Sequence, residues 1–159
     1  MADENWRGKV GGLSQSEITE FLSEGKTARL ACLDQDGWPY IVPTWHEWDG
    51  KSFWVVPRLK SKWAQFLKDE SRCSIVVDQM DPLIKVVAKC RATCVEEPNI
   101  GGAWVEFGNR MSVRYLGPNG PSYLVPTLNE PRWLFRLDVE TMNTWQGVDW
   151  ASRYKTTKW

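Results

Sequence analysis

Two Asp-Gly pairs constrain the fold of this chain more than any other feature. Asp36-Gly37 and Asp49-Gly50 each stand between segments rich in β-branched and aromatic residues, and each supplies a glycine able to take the positive φ of a tight hairpin turn. Three antiparallel strands follow from them: Ala28–Leu33, Trp38–Trp48 and Ser52–Pro57. Arg72–Asp78, Ile84–Glu96 and Trp133–Val139 have the same character, which brings the expected strands to six. Pro39 and Pro43 fall inside the second strand. Proline has no N–H to give a ladder, so that strand is expected at an edge, at a bulge or against a ligand.

Helical signals are fewer. Ser14 and Glu17 have capping-box spacing, Leu13 and Ile18 can form the hydrophobic staple, and Gly25 is a natural stop. Ser61–Glu70 reads as a short helix with Trp63, Phe66 and Leu67 on its apolar face. Ala103–Tyr115 reads as another, with Trp104, Phe107, Met111 and Tyr115 on one side. Gly117–Pro131 is dense in Gly and Pro and is expected as a loop. Six closely linked strands with helices between only some of them indicate a mainly β protein, a six-stranded antiparallel barrel with added helices. A chain of 159 residues makes this a single domain, 1–159.

Composition removes several classes. Lys+Arg and Asp+Glu are 20 each, without the basic excess of a general nucleic-acid binder. No apolar run approaches the roughly 20 residues needed to span a bilayer. The acidic start, Met1–Asn5, lacks a secretory pattern, so a soluble cytoplasmic protein is expected. Cys32, Cys73, Cys90 and Cys94 form no C-x-x-C pair, and His46 is the one histidine, so no metal site is expected. The thiols read as buried and reduced. The 11 tryptophans stand out, because flat amphipathic rings serve planar ligands and packed interfaces alike.

Two segments carry chemistry. Pro57-Arg58-Leu59-Lys60-Ser61-Lys62-Trp63 places three cations where a strand runs into a helix start. Free N–H donors, the positive end of the helix dipole and basic side chains together make a phosphate cradle. A solvated basic loop accounts for the same residues equally well. Tyr40-Ile41-Val42-Pro43-Thr44-Trp45 can line a flat ring with its backbone, or be a plain barrel strand. His46, one position beyond, titrates near neutrality and is a candidate proton donor to a substrate, or a packed residue.

The run Leu30-Ala31-Cys32-Leu33-Asp34-Gln35-Asp36-Gly37-Trp38-Pro39-Tyr40-Ile41-Val42-Pro43-Thr44-Trp45 resembles the opening of the pyridoxamine 5′-phosphate oxidase-like FMN-binding split-barrel family. Asp49-Gly50-Lys51-Ser52-Phe53, Lys60-Ser61-Lys62, Phe66-Leu67, Arg72 and Lys85–Ala92 continue the pattern. Residues 13–97 match best; 98–131 form a helical and loop insertion, and 132–159 the last strand and tail. The resemblance implies a homodimer with flavin mononucleotide (FMN) at the subunit interface. It implies that Tyr40, Ile41, Val42, Pro43, Thr44 and Trp45 line the flavin ring, and that Arg58, Lys60, Ser61 and Lys62 hold its phosphate. It places Lys85 where a polar residue reaches the cofactor, and Trp145 and Trp150 near the partner's flavin; Trp159 lies in the same tail.

The departures are informative. Trp63 replaces a second basic residue of the oxidase, Cys90 a usual glycine, and no histidine follows His46. Oxidation of pyridoxamine phosphate is thereby disfavoured. The expected function is FMN-dependent hydride transfer to or from a small molecule. The alternatives are a reductase using the deazaflavin coenzyme F-420, and a non-catalytic flavin- or haem-binding module. No nucleic acid, membrane or metal partner is expected.

Overall fold

The computed structural model describes residues 5–156. The described residues form seven strands: β1 (Ala28–Leu33), β2 (Pro39–Thr44), β3 (Glu47–Trp48), β4 (Ser52–Val55), β5 (Arg72–Met80), β6 (Leu83–Asn99) and β7 (Arg132–Gln146). They pair antiparallel in one sheet of order β2-β1-β5-β6-β7-β4-β3. Four helices accompany them: α1 (Gln15–Ser23), α2 (Lys62–Asp69), α3 (Trp104–Leu116) and α4 (Gly120–Leu124). Among the described residues, no helix is long and apolar enough to cross a membrane.

Both hairpin turns form as expected, with Gly37 at φ 80° and Gly50 at φ 94°. The second expected strand does not run through to Trp48. It breaks at Trp45-His46 into β2 and β3, so the strands number seven rather than six. These two lie at opposite edges of the sheet order, yet Thr44 and Glu47 are only three residues apart, at most about 11 Å. The sheet therefore curls until its edges approach, and β2 and β3 do not pair across the gap. The barrel is curled but not closed.

Alternation along the strands builds the core. Leu30 and Cys32 of β1, Ile75 and Val77 of β5, Val86 and Ala88 of β6, and Phe135 and Leu137 of β7 are all buried on the inner face. Ile18, Phe21 and Leu22 of α1 and Trp63, Ala64 and Leu67 of α2 pack into the same cluster. The α1 start is the capping box that the Ser14/Glu17 spacing predicts: Glu17 N–H donates to Ser14 Oγ and Ser14 N–H to Glu17 Oε2. Cys32, Cys73 and Cys90 are buried free thiols, and burial pushes each above the ordinary thiol range.

Two segments differ from expectation. β7 runs on to Gln146 because Thr141–Gln146 pair with Ile84–Lys89, and the register shift between Lys89 and Cys90 interrupts the alternation that would mark one long strand. Gly117–Pro131 is not an open loop: two 3₁₀ turns, Gly117–Asn119 and Val125–Thr127, flank α4. Proline sits at N1 or N2 of each of these three turns, where its missing N–H costs nothing.

Gly25 has a different role from the one its position implies. Its φ is not positive; a Cβ there would lie 2.5 Å from the Arg114 carbonyl oxygen at the end of α3. Close approach of two backbones, not left-handed geometry, excludes a side chain. Gly25→Ala should lower stability to urea by about 1–3 kcal/mol, the cost of overpacking. A gain of about 0.4–1 kcal/mol, the usual result at a strain-free site, would show that the α1–α3 contact is loose.

Candidate functional site

The break between β2 and β3 is held by one phenol. Tyr115 on α3 accepts from the His46 N–H at 3.1 Å, donates to the Lys26 carbonyl at 2.8 Å, and lies 3.0 Å from His46 Nδ1. Its ring stacks on Trp45 at 4.8 Å between centroids and 11° between planes. The next residue anchors the same helix: Glu47, 8% exposed, takes the Arg110 guanidinium at 2.7 Å and Arg114 at 3.4 Å. A buried carboxylate needs such partners, and α3 is fixed over the sheet edge as a result.

Under α3 lies a cavity of about 400 Å³. That is within the range of small-molecule sites. Pro43, Thr44 and Trp45 form one wall, Arg58, Ser61 and Trp63 a second, and Trp104, Met111, Tyr123 and Leu124 of the insertion a third. Gly108 of α3 completes this third wall, where a Cβ would lie 3.4 Å from Leu124.

The second wall is the entrance to α2. Ser61 is the N-cap residue, yet its side chain makes no capping hydrogen bond, so the hydroxyl is free for another partner. Across an isolated bridge, Arg58 faces Arg132, the first residue of β7. Arg132 is buried; its Nη2 donates to Thr127 Oγ1 at 2.8 Å, and its guanidinium lies 5.4 Å from the centroid of the Trp104 ring. Its Nε finds no acceptor among the described residues. Burial, then the Arg58 charge, bears against its protonated form, and Tyr123 and Glu130 oppose this. Among the described residues, neither arginine has a carboxylate within ion-pair distance.

A second, larger cavity of about 1220 Å³ lies between the N-terminal segment and the tail, lined by Trp6, Arg7, Lys85, Trp145, Trp150 and Tyr154 among others. It is on the other face of the sheet. Thr44 pairs with buried Ala28 and so shares the inner face, whereas Lys85 pairs with Asp78 and Trp145, all three on the outer face.

The expected site residues thus divide. Pro43, Thr44, Trp45, Arg58 and Ser61 meet at the first cavity, and Lys85, Trp145 and Trp150 at the second. Tyr40 packs edge-on against Phe66, Ile41 is two-thirds exposed, and Val42 packs on the core. Lys60 and Lys62 are exposed and line neither cavity. His46 is fully buried and also lines neither. Trp38 is exposed at its hairpin and Trp48 packs against Phe53, while Trp159 lies outside the described residues. Sequence reasoning missed Arg132, Tyr123 and Leu124, and read Trp63, Trp104 and Met111 only as helix-face residues. The signal left unused was the Arg132-Trp133 pair that opens the last strand and the aromatic residues Trp104 and Tyr123 of the insertion.

A family model described as pyridoxamine 5′-phosphate oxidase matches residues 14–146. No curated protein matches the chain. Among solved structures, a conserved hypothetical protein from Mycobacterium tuberculosis superposes with TM-score 0.67 at 24% identity, over 88% of this chain and 88% of that one. A FAD-binding protein from Mesorhizobium loti gives 0.61 at 20% identity, over 89% and 98% respectively. An F420 reductase gives 0.59 at 19%, over 77% and 93%. At these identities the likeness is one of fold.

His46 makes the packing behind Trp45 sensitive to pH. Burial first, and the Arg114 charge second, push its imidazole down to about 4, against a smaller opposing pull from the Leu22 backbone. A depressed folded-state pKa means that the stabilisation is complete above the ordinary histidine value and is lost as pH falls towards 4. Denaturation measured between pH 7 and 4.5 should show the wild type losing up to about 3 kcal/mol that His46→Asn does not lose. Equal slopes for the two proteins would mean that the ring is not held neutral.

Proposed function

We propose, because this chain belongs to the pyridoxamine 5′-phosphate oxidase family, that it binds a flavin-type cofactor and serves as an FMN-dependent oxidoreductase. The observation that carries this reading is the first cavity: Pro43–Trp45, the free Ser61 hydroxyl and two arginines without carboxylates converge on it. That set suits a planar ring joined to an anion. The strand backbone faces the ring, Trp45 is braced from behind by Tyr115, and the α2 entrance offers hydrogen-bond donors to a phosphate. When bound, such a cofactor supplies hydride transfer. The chain orients it, and α3 and α4 screen it from water.

The second cavity fits the same reading if two copies share the site. Lys85 and Trp145 stand on the outer face and cannot reach a molecule lodged against Thr44 of the same chain. In a homodimer they meet the partner's cofactor, Lys85 as a cation and Trp145 as an aromatic wall. His46 is a packing residue in this account, not a proton donor. It is equally unsuited to ligate haem, so the flavin reading is preferred to the haem one. The deazaflavin reading shares the ring site and differs in the tail attached to it.

Titration of the purified protein with FMN should quench flavin fluorescence at a stoichiometry of one per chain, and sedimentation should give a dimer. Binding of the F-420 deazaflavin with no binding of FMN would move the assignment to that cofactor. Failure of both to bind would end the redox reading.

A further inference from the structure

Building on the flavin-type reading, we propose that Arg132 and Arg58 clamp a terminal, doubly ionised phosphate and so select a phosphomonoester cofactor over one whose phosphates are diesters. The lysines of the Arg58–Lys62 cluster line neither cavity; the cation that joins Arg58 there comes instead from the start of β7, 74 residues further along the chain in bridge register.

Arg132 is 8% exposed. Of the five N–H donors that a guanidinium carries, Nη2 spends one on Thr127, and Nε meets no acceptor among the described residues. A buried cation with no carboxylate within ion-pair distance among the described residues is costly, and here a second guanidinium across the bridge adds repulsion that Glu130 and Tyr123 offset only in part. The arrangement is relieved by an anion within the cavity that both residues line. Two planar donor forks match the oxygens of a phosphate better than those of a single carboxylate. A phosphomonoester carries about −1.5 to −2 at pH 7, enough to answer both guanidiniums, while each phosphate of a diester carries a single charge. The position argues for a chain end as well. Arg132 is buried above the fully buried Trp104, and Arg58 is exposed. A phosphate that reaches Arg132 has its ester oxygen towards Arg58 and the mouth, with buried protein beyond it.

The test compares ligands that differ only at the phosphate. Wild type and Arg132→Met are titrated with FMN, riboflavin and FAD at fixed ionic strength, reading flavin fluorescence. The wild type should prefer FMN to both others. The substitution should weaken FMN at least about tenfold while riboflavin changes less than about threefold. Equal weakening of FMN and riboflavin, or no change in either, overturns the clamp. Arg58→Met, at an exposed position, should shift the same preference in the same direction and serves if Arg132→Met does not fold. If the wild type binds none of the three flavins, the flavin reading fails, and the clamp is judged separately by inorganic phosphate and pyrophosphate. One of them should raise the melting temperature of the wild type and not that of the arginine variants; equal responses overturn it.

Discussion

Between Thr44 and Glu47 the chain passes from one edge strand of the sheet to the other, and the Tyr115 hydroxyl holds it there. That crossing leaves the His46 N–H without a ladder partner, and an unpaired buried donor costs as much as a lost hydrogen bond. Tyr115 supplies the acceptor, ties the Lys26 carbonyl to the same point and stacks on Trp45. One side chain thereby fixes the gap in the barrel, the seat of α3 and the plane of an aromatic ring at the cavity wall. Glu47 reinforces it by drawing Arg110 and Arg114 of the same helix onto β3. The curled sheet stays open because this helix, not a strand pairing, bridges its edges.

The cavity follows from that seat. α3 and α4 stand across the cavity from the α2 entrance, and the space between them is lined by Trp45, Trp63, Trp104 and Tyr123 and by Arg58 and Arg132. In the proposed reading, the cavity lining on the inner face of β2 and that on the outer face of β6 and β7 are the two halves of one site for a planar anionic cofactor. Within one chain the sheet itself separates them. A shared site is the arrangement that uses both, and two-fold pairing of identical chains is the ordinary way to obtain one.

Local chemistry made much of the fold legible. The Asp-Gly turns, the Ser14/Glu17 box and the strand alternation are decided within a few residues, and they appear where the sequence puts them. The break at Trp45-His46 was not legible, because its cause is a phenol 69 residues away. The extent of β7 was hidden by a bulge, and the helical turns of the insertion by prolines that also fit a loop. The site divides along the same line. Arg58 and Ser61 were found from one contiguous segment. Arg132 was not, since only the β7 register brings it opposite Arg58. Lys60 and Lys62 share that segment's charge but project elsewhere, which spacing alone does not reveal.

Whether one cofactor site draws on both faces of the sheet from two chains is decided by mixing two binding-deficient proteins. One carries Arg58→Glu at the inner half-site; the other carries Lys85→Glu and Trp145→Ala at the outer half-site. Random re-pairing makes about half the dimers mixed, each with one intact site of its two, so FMN binding should return at about one site in four. Re-paired dimers, verified by mass, that recover no binding would contradict the shared site and confine the cofactor to a single chain.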